Sequence, residues 1–391
     1  MTDAAPALPR SEATTVPARP APPHPATAAA PALPHSAIAG AARRRAHATL
    51  ALATAAIVAG ICASACSAPA TLSDLRTAEQ RSGAGDVDGA VTAYRAAQVS
   101  CRRLRPERRA RAACSEALLG EAETLEHAGR TQPAIDTYLA IPARAGDDAG
   151  PAAIATYRAG LLLLAAHQVT PAWTQLWRVV TSYPDEPIAS DALRALVKDG
   201  RGRAPRELAD QLARLLTALA ETQIADNLVW SLADLSEHEL ANPTAARALY
   251  DQLPTDYPGS GMRDDARWHA ARISRALGDP RGAALRLRAL LATREVALGA
   301  GSYFSIWLDD AQLELGKILR DDLHDLPAAA AAFRQLPDDY PASILRDDAL
   351  FELAVTLARG GDRTGACAAI ARIADQFAGS KYLARRPEVC P

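Results

Sequence analysis

The chain has 391 residues, of which 49% are hydrophobic and only 5% aromatic, and its formal net charge is −2. This length and hydropathy allow a large buried core, and the many alanines suit helices that pack closely together. Because there is no basic surplus to gather phosphates, the charge argues against nucleic acid as a partner.

The first segment, residues 1–45, is rich in proline and alanine and has almost no large aliphatic side chains. Such a composition cannot offset the entropy lost on ordering the chain. We therefore predict a disordered Pro/Ala-rich leader.

The next segment, residues 46–66, has no formally charged side chain and follows Arg43, Arg44 and Arg45. A basic region, an apolar region and a small-residue cleavage site indicate a secretory signal. Its end, Ala63-Ser64-Ala65-Cys66, resembles the lipobox of bacterial lipoproteins, which implies that Cys66 carries lipid. Two alternatives stay open: an uncleaved single-pass anchor, because the stretch is long enough to span a bilayer, and simple secretion. All three place the folded part outside the cytoplasm.

Four further cysteines form two local pairs near the ends of the region that follows, Cys101 with Cys114 and Cys367 with Cys390. An even number of cysteines in an oxidising compartment favours disulfides that fasten those ends. Four unpaired thiols remain the alternative, since pairing cannot be proved from sequence. Neither pair has the spacing of a zinc site.

The most distinctive feature is a phrase that occurs twice. Residues 253–258 read Leu-Pro-Thr-Asp-Tyr-Pro and 336–341 read Leu-Pro-Asp-Asp-Tyr-Pro, and each is followed by Arg-Asp-Asp-Ala, at 263–266 and 346–349. A weaker copy surrounds Tyr183-Pro184. Recurrence of this kind predicts stacked units that are each too small to bury their apolar face alone.

The last unit shows the pattern of one repeat. Apolar residues recur at helical spacing, a Gly360-Gly361-Asp362 turn interrupts them, and a second apolar series follows. The positions are Leu350, Leu353, Ala354, Leu357, Ala366, Ile370 and Ile373. This pattern resembles the tetratricopeptide repeat family. The resemblance implies an all-α, right-handed α-solenoid of about eight helix hairpins over residues 72–378, with 379–391 as a C-terminal tail and a poor match at 186–218.

The Tyr-Pro phrase also predicts where helices end and begin. A residue before proline is pushed out of the helical region, so the second helix of a unit should end there, and the following Asp pair should cap the next helix. The phrase resembles the variant repeats of bacterial envelope proteins, namely the Tol-Pal accessory protein and the lipoprotein of the outer-membrane barrel assembly machine.

Residues suited to catalysis or metal binding are not arranged for either. Most of the Asp pairs lie at predicted helix ends or turns, where carboxylates cap amides. Glu237-His238-Glu239 is typical of a solvated helix face. No phosphate loop, nucleophile elbow or metal-ligand spacing appears. We expect no enzyme activity, cofactor, metal or small-molecule substrate. The Asp pairs are 147/148, 264/265, 309/310, 321/322, 338/339 and 347/348.

One set of residues indicates a binding surface. In the tetratricopeptide family the first helix of each unit lines a groove, and its fifth position commonly touches the bound peptide. That resemblance places Tyr157, Trp230, Trp268, Leu313 and Phe351 in a groove with Arg272, Lys317 and Arg320 beside them. Aromatic and cationic side chains suit a segment with apolar and acidic groups. The alternative is that these rings fill space between helices.

We therefore expect a membrane-tethered periplasmic scaffold that binds protein partners in assembly or maintenance of a bacterial envelope, with an outer-membrane lipoprotein favoured over an inner-membrane anchor. A lytic transglycosylase-like factor that processes peptidoglycan is one alternative, although no catalytic domain follows residue 378. A single-pass signalling subunit with an extracytoplasmic repeat domain is the other.

Overall fold

The computed structural model describes residues 70–101, 108–293, 305–388 and 390, all within one compact unit, Ala68–Pro391. In these ranges the chain is all-α, with no β-strand. The predicted leader (1–45), the predicted signal or anchor (46–66) and the lipidation candidate Cys66 lie outside the described residues.

Sixteen α-helices in the described ranges form eight hairpins. The first helices are α1 (Ala70–Gly83), α3 (Arg108–His127), α5 (Ala149–Ala165), α7 (Ile188–Gly200), α9 (Ala225–His238), α11 (Arg263–Ala276), α13 (Leu308–Lys317) and α15 (Arg346–Arg359). The second helices are α2 (Val87–Cys101), α4 (Thr131–Ala145), α6 (Val169–Ser182), α8 (Pro205–Ala218), α10 (Pro243–Asp256), α12 (Pro280–Ala292), α14 (Leu326–Asp339) and α16 (Arg363–Gln376). Each helix packs on the helix before it and the helix after it. This confirms the predicted solenoid of about eight hairpins.

A recurring tight turn joins the two helices of a hairpin. In every hairpin but the fourth, a residue with positive φ comes just before the second helix's N-cap. Glycine adopts this conformation at little steric cost, which is why Gly278-Asp279 and Gly361-Asp362 were recognisable as turns. The seven residues are Gly85, Gly129, His167, Ala241, Gly278, His324 and Gly361.

Five of the residues that follow these turns cap the second helix with their side chains. Each oxygen accepts a hydrogen bond from the amide three residues on, which satisfies a donor that the helix leaves free. These residues are Asp86, Asn242, Asp279, Asp325 and Asp362.

Two hairpins have one residue more in this turn, as the sequence pattern indicates. The Asn242 and Asp325 amides donate to the carbonyls of Ser236 and Leu319, six residues back, whereas in the sixth hairpin the Asp279 amide reaches only five residues back. In the seventh hairpin a short π-helix, Ile318–Asp322, continues α13 and absorbs the insertion.

The Tyr-Pro phrase ends the second helices as predicted, but the Asp pairs are not the N-caps of the first helices that follow. Helices α6, α10 and α14 stop at the residue before the tyrosine of each phrase. The N-caps of α11 and α15 are Met262 and Leu345, neither of which makes a side-chain cap bond. The capping prediction was wrong because both Asp pairs lie inside the first turn. Asp347 accepts hydrogen bonds from the Asp348 amide and from Ser380, and Asp348 accepts one from Tyr382, both of these latter residues following α16.

Small residues set the close approach of the helices. A Cβ added at Gly316 on α13 would lie 2.4 Å from the Phe333 ring on α14, and one at Gly160 would lie 2.9 Å from Leu176. Ala354 and Ala366, the small residues of the last unit, are fully buried. A larger side chain at any of these positions would push apart helices that are packed at interior density.

The fourth hairpin, α7 and α8, covers the stretch that matched the repeat pattern poorly. It is helical, but its turn contains no residue with positive φ in the described range. Gly200 packs against Leu208 and Trp173, with an added Cβ 2.8 Å and 3.1 Å away. A hairpin therefore forms here with a different turn.

Disulfides lie near both ends of the hairpin stack. Cys101 on α2 is bonded to Cys114 on α3, with 5.5 Å between the Cα atoms, and Cys367 on α16 is bonded to Cys390, with 5.1 Å. The segment expected to be a tail, 379–391, departs from that expectation. Its residues Lys381–Glu388 form a 3-10 helix that packs on the eighth hairpin.

Candidate partner-binding surface

A serine lies two residues before the N-cap residue of α11, α13 and α15, and its Oγ accepts a hydrogen bond from that residue's amide. Before α15, the Ser343 Oγ accepts a hydrogen bond from the Leu345 amide (3.0 Å) and donates one to Asp309 of the preceding hairpin (2.5 Å). The Oγ atoms of Ser260 and Ser305 likewise accept a hydrogen bond from the amide two residues on. The Ser343–Asp309 hydrogen bond therefore fixes the start of α15 against the seventh hairpin.

The N-cap residue of α13 covers the fifth-position side chain of α11. The Trp307 ring stacks on Trp268, with 5.1 Å between ring centroids, and its Nε1 donates to Asp265 (2.5 Å). The fifth-position residues Trp268, Leu313 and Phe351 are only 9%, 8% and 2% exposed. They were predicted to line an open groove, but the structure places them between hairpins.

Arg320, also predicted for the groove, is only 7% exposed. Its guanidinium donates to Asp321 (2.8 Å) and to Glu352 on α15. The hydrogen bond to Asp321 raises the pKa of Arg320. Hydrogen bonds from Arg320 and then Arg359 lower the pKa of Asp321 to about 2. This arginine joins two first helices rather than facing a partner.

A recurring set of tyrosine, glutamate and cation also joins the first helices. The Tyr138 hydroxyl donates to Glu126 (2.8 Å), which accepts from Arg158 of the next first helix (2.6 Å). Burial first, and then the hydrogen bond to Glu126, raises the pKa of Tyr138. The set recurs in the fifth hairpin with a histidine as the third member.

This second copy lies in a central cluster on α9, α10 and α11. The Tyr250 hydroxyl donates to Glu237 (3.0 Å), and His269 Nδ1 lies 2.9 Å from the same carboxylate. Burial and then Glu237 raise the pKa of Tyr250. Trp230 lies edge-on to both rings, 5.2 Å from Tyr250 and 5.6 Å from His269, and His238 lies beside His269.

Glu237 is thus not the solvated side chain that the sequence suggested, because Tyr250 and His269 both contact it. Sequence reasoning also missed His269 as a member of this cluster. The spacing of Glu126, Tyr138 and Arg158 was the available signal, since Glu237, Tyr250 and His269 repeat it almost residue for residue.

Four predicted groove residues keep accessible surface. Arg272 is exposed, and Tyr157, Trp230 and Lys317 are partly buried. They lie on α5, α9, α11 and α13. We call the surface defined by these four side chains the first-helix face.

An acidic patch at the start of the array was not predicted. Glu79 on α1 and Glu116 and Glu123 on α3 are all exposed. A hydrogen bond with Glu79, followed by burial and the nearby charges of Glu79 and Glu123, raises the pKa of Glu116. The patch and the cationic Arg272 and Lys317 therefore lie in different hairpins.

A cavity of about 670 Å³ lies beside the first disulfide, between α2, α3 and α4. Its lining includes Arg95, Gln98, Leu118 and Arg144. Arg95 and Gln98 both bind Glu121, which is only 2% exposed (2.8 Å each). Those hydrogen bonds hold the Arg95 and Gln98 side chains on the cavity wall.

Other kinds of site are not indicated in the part of the chain that the structure describes. Among those residues, no three His, Cys, Asp or Glu side chains are grouped so that they could hold a metal ion. None of the helices in the described ranges combines the length and hydropathy of a membrane-crossing segment.

Comparison with known proteins supports the repeat assignment. The family model described as tetratricopeptide repeat matches residues 348–380. No curated protein matches the chain. Among solved structures, the chain is similar to PilW, a type IV pilus biogenesis factor, at 14% identity with a TM-score of 0.36, covering 60% of this chain and 97% of PilW.

Two further structures are similar at the same level. PilF of Pseudomonas aeruginosa is 16% identical, with a TM-score of 0.36 over 61% of this chain and 97% of PilF. YrrB, described as a tetratricopeptide protein with an unusual peptide-binding site, is 14% identical, with a TM-score of 0.36 over 55% of this chain and 97% of YrrB. The family-model match identifies a tetratricopeptide repeat at residues 348–380, and the helix hairpins of the rest of the described chain have the same architecture.

Proposed function

We propose that this tetratricopeptide-like scaffold is tethered to a bacterial membrane, faces the periplasm and holds a protein partner in assembly or maintenance of the cell envelope. The partner binds the first-helix face. Catalysis is no part of the proposal.

The observation that carries the binding part is that Trp230 is only partly buried. The ring is held by Tyr250 and His269, which contact it edge-on. An aromatic ring fixed in place loses little freedom on binding, and such rings are enriched among residues that dominate interfaces. Arg272, on the next first helix α11, is exposed. Trp230 is therefore the apolar anchor and Arg272 the charged neighbour.

The charges on this face favour a particular partner chemistry. Arg272 has no ion pair among the described residues, whereas Arg275 on the same helix is held by Glu314 (2.5 Å) and Asp322 (2.8 Å). A partner segment with an apolar side chain can pack on Trp230, and a carboxylate on the same segment can pair with Arg272 and Lys317.

The membrane tether and the periplasmic location rest on sequence. Arg43 to Arg45, the uncharged stretch 46–66 and Ala63-Ser64-Ala65-Cys66 support a processed lipoprotein. The mass of the mature N-terminal peptide tests this part separately. A lipid-modified Cys66 supports the tether, and an unmodified N-terminus beyond residue 66 contradicts it.

Affinity capture from a native envelope extract tests the binding part. We expect Trp230→Ala with Arg272→Glu to lose the partner, because truncating an anchoring Trp removes on the order of 2 kcal/mol, about thirtyfold in affinity. The matched control is Leu285→Ala with Arg288→Glu, which alters an exposed pair on α12. Equal capture by the two double variants would show that the first-helix face is not the binding surface.

A further inference from the structure

The segment after α16 begins like another first helix. Ser380-Lys381-Tyr382 follows α16 as Ser343-Ile344-Leu345 follows α14. The Ser380 Oγ accepts a hydrogen bond from the Tyr382 amide (3.3 Å) and donates one to Asp347 of the eighth hairpin (2.7 Å). These are the bonds that Ser343 makes to its own helix and to the hairpin before it.

Tyr382 also covers Phe351 of the eighth hairpin, as Trp307 covers Trp268 of the sixth. Its ring stacks on Phe351, with 4.3 Å between ring centroids, and its hydroxyl donates to Asp348 (2.5 Å). Lys381 Nζ lies 3.2 Å from the same carboxylate, and the Arg385 guanidinium lies 4.5 Å from the centroid of the Phe351 ring. Phe351 is therefore covered by a segment that occupies the place of a ninth first helix.

This segment does not continue as an α-helix. Lys381–Glu388 form a 3-10 helix, and the chain then returns to α16, where Cys390 is bonded to Cys367. The disulfide keeps the segment at the end of the array, where a tether of this kind maintains a high effective concentration.

We propose that Asp347, Asp348 and Phe351 form a binding site for a Ser-Xaa-Tyr segment, which the chain's own residues 380–382 fill and the Cys367–Cys390 disulfide holds in place. A dithiol reductant opens this latch. It transfers two electrons and two protons to the disulfide, which becomes two thiols, and the dithiol becomes a disulfide. The freed site accepts the same segment from a second copy of the chain. This site is distinct from the first-helix face.

A peptide-binding measurement on the full chain tests the site. The protein variant is Cys367→Ser, Cys390→Ser and Tyr382→Ala, and the probe is a fluorescent peptide of residues 378–388. We expect this variant to bind the peptide at least tenfold more tightly than the unaltered protein, whose site is filled. Addition of Asp348→Asn to the variant, or Tyr382→Ala in the peptide, should remove that binding.

No gain in binding by the triple variant, or equal binding with the Tyr382→Ala peptide, would overturn the assignment of the site. Amide hydrogen exchange tests the latch without the Tyr382 change. We expect Cys367→Ser with Cys390→Ser to raise exchange at residues 378–388 at least tenfold, while the matched Cys101→Ser with Cys114→Ser leaves it unchanged. Unaltered protection in the first variant would overturn the latch.

Discussion

At the scale of single residues, the array depends on small side chains placed opposite large ones. Gly316 and Phe333 are the closest such pair within a hairpin, because the glycine has no Cβ to meet the ring. Gly120 has the same relation to Tyr94, where an added Cβ would lie 2.4 Å from the ring. Both glycines therefore serve packing between helices.

We predict that Gly316→Ala destabilises the protein. The new methyl group would overlap the Phe333 ring, and overpacking of a core costs about 1–3 kcal/mol. Gly259→Ala is the control, because nothing lies within 4 Å of an added Cβ there. Urea unfolding should give a lower midpoint for Gly316→Ala than for the control, and equal midpoints would contradict this packing.

Asp321 gives a pH prediction at the same scale. Its folded-state pKa, about 2, lies below the ordinary value of 3.8, so its ion pairs stabilise the fold above about pH 4 and lose that effect as pH falls toward 2. The stability difference between the unaltered protein and Asp321→Asn should shrink over this range. Asp375→Asn, at an exposed position, is the control. A difference that stays constant from pH 5 to pH 2 would contradict the assignment.

At the scale of elements, hairpins were predictable from sequence where local chemistry decides their turns and ends. Tyr340-Pro341 ends the seventh hairpin at α14, and Gly361-Asp362 supplies the turn and the cap between the two helices of the eighth. His167 and Ala241 carry no such signal. Both nevertheless adopt positive φ in the same place as the glycines of the other hairpins.

Contacts between hairpins were not predictable in the same way. The sequence shows that Trp268, Leu313 and Phe351 share the fifth position, but not that all three are buried or that later residues cover Trp268 and Phe351. That contact depends on where Trp307 and Tyr382 lie in space, far along the chain. The prediction of an open groove therefore failed at these three positions.

The Trp268–Trp307 stack should make a measurable coupling between two hairpins. In a double-mutant cycle with Trp268→Leu and Trp307→Leu, we expect a coupling energy of about 0.5–1.5 kcal/mol, because stacked aromatic pairs contribute this much beyond burial. The control pair is Trp268→Leu with Trp173→Leu, whose residues lie in the sixth and third hairpins, and the effects of these two changes on stability should be additive. Additivity of the first pair would mean that the stack does not join the units.

At the scale of the whole described array, each hairpin buries part of its apolar surface against neighbouring hairpins. The buried side chains form several apolar clusters, and the largest runs from Trp268 to Cys390. The Cys367–Cys390 disulfide and Tyr382 hold the segment after α16 against the eighth hairpin. The sequence offered Ser380-Lys381-Tyr382 as a copy of a helix start, but nothing in the 379–391 composition indicated that it packs.

The account of function depends on which side of the hairpins meets the partner. A photo-crosslinking residue at Trp230 on α9, compared with one at Leu285 on α12, which is 67% exposed, tests this most directly. Irradiation in the native envelope should join a partner protein to the chain from position 230 and not from position 285. Crosslinks from position 285 alone, or from neither position, would contradict binding at the first-helix face.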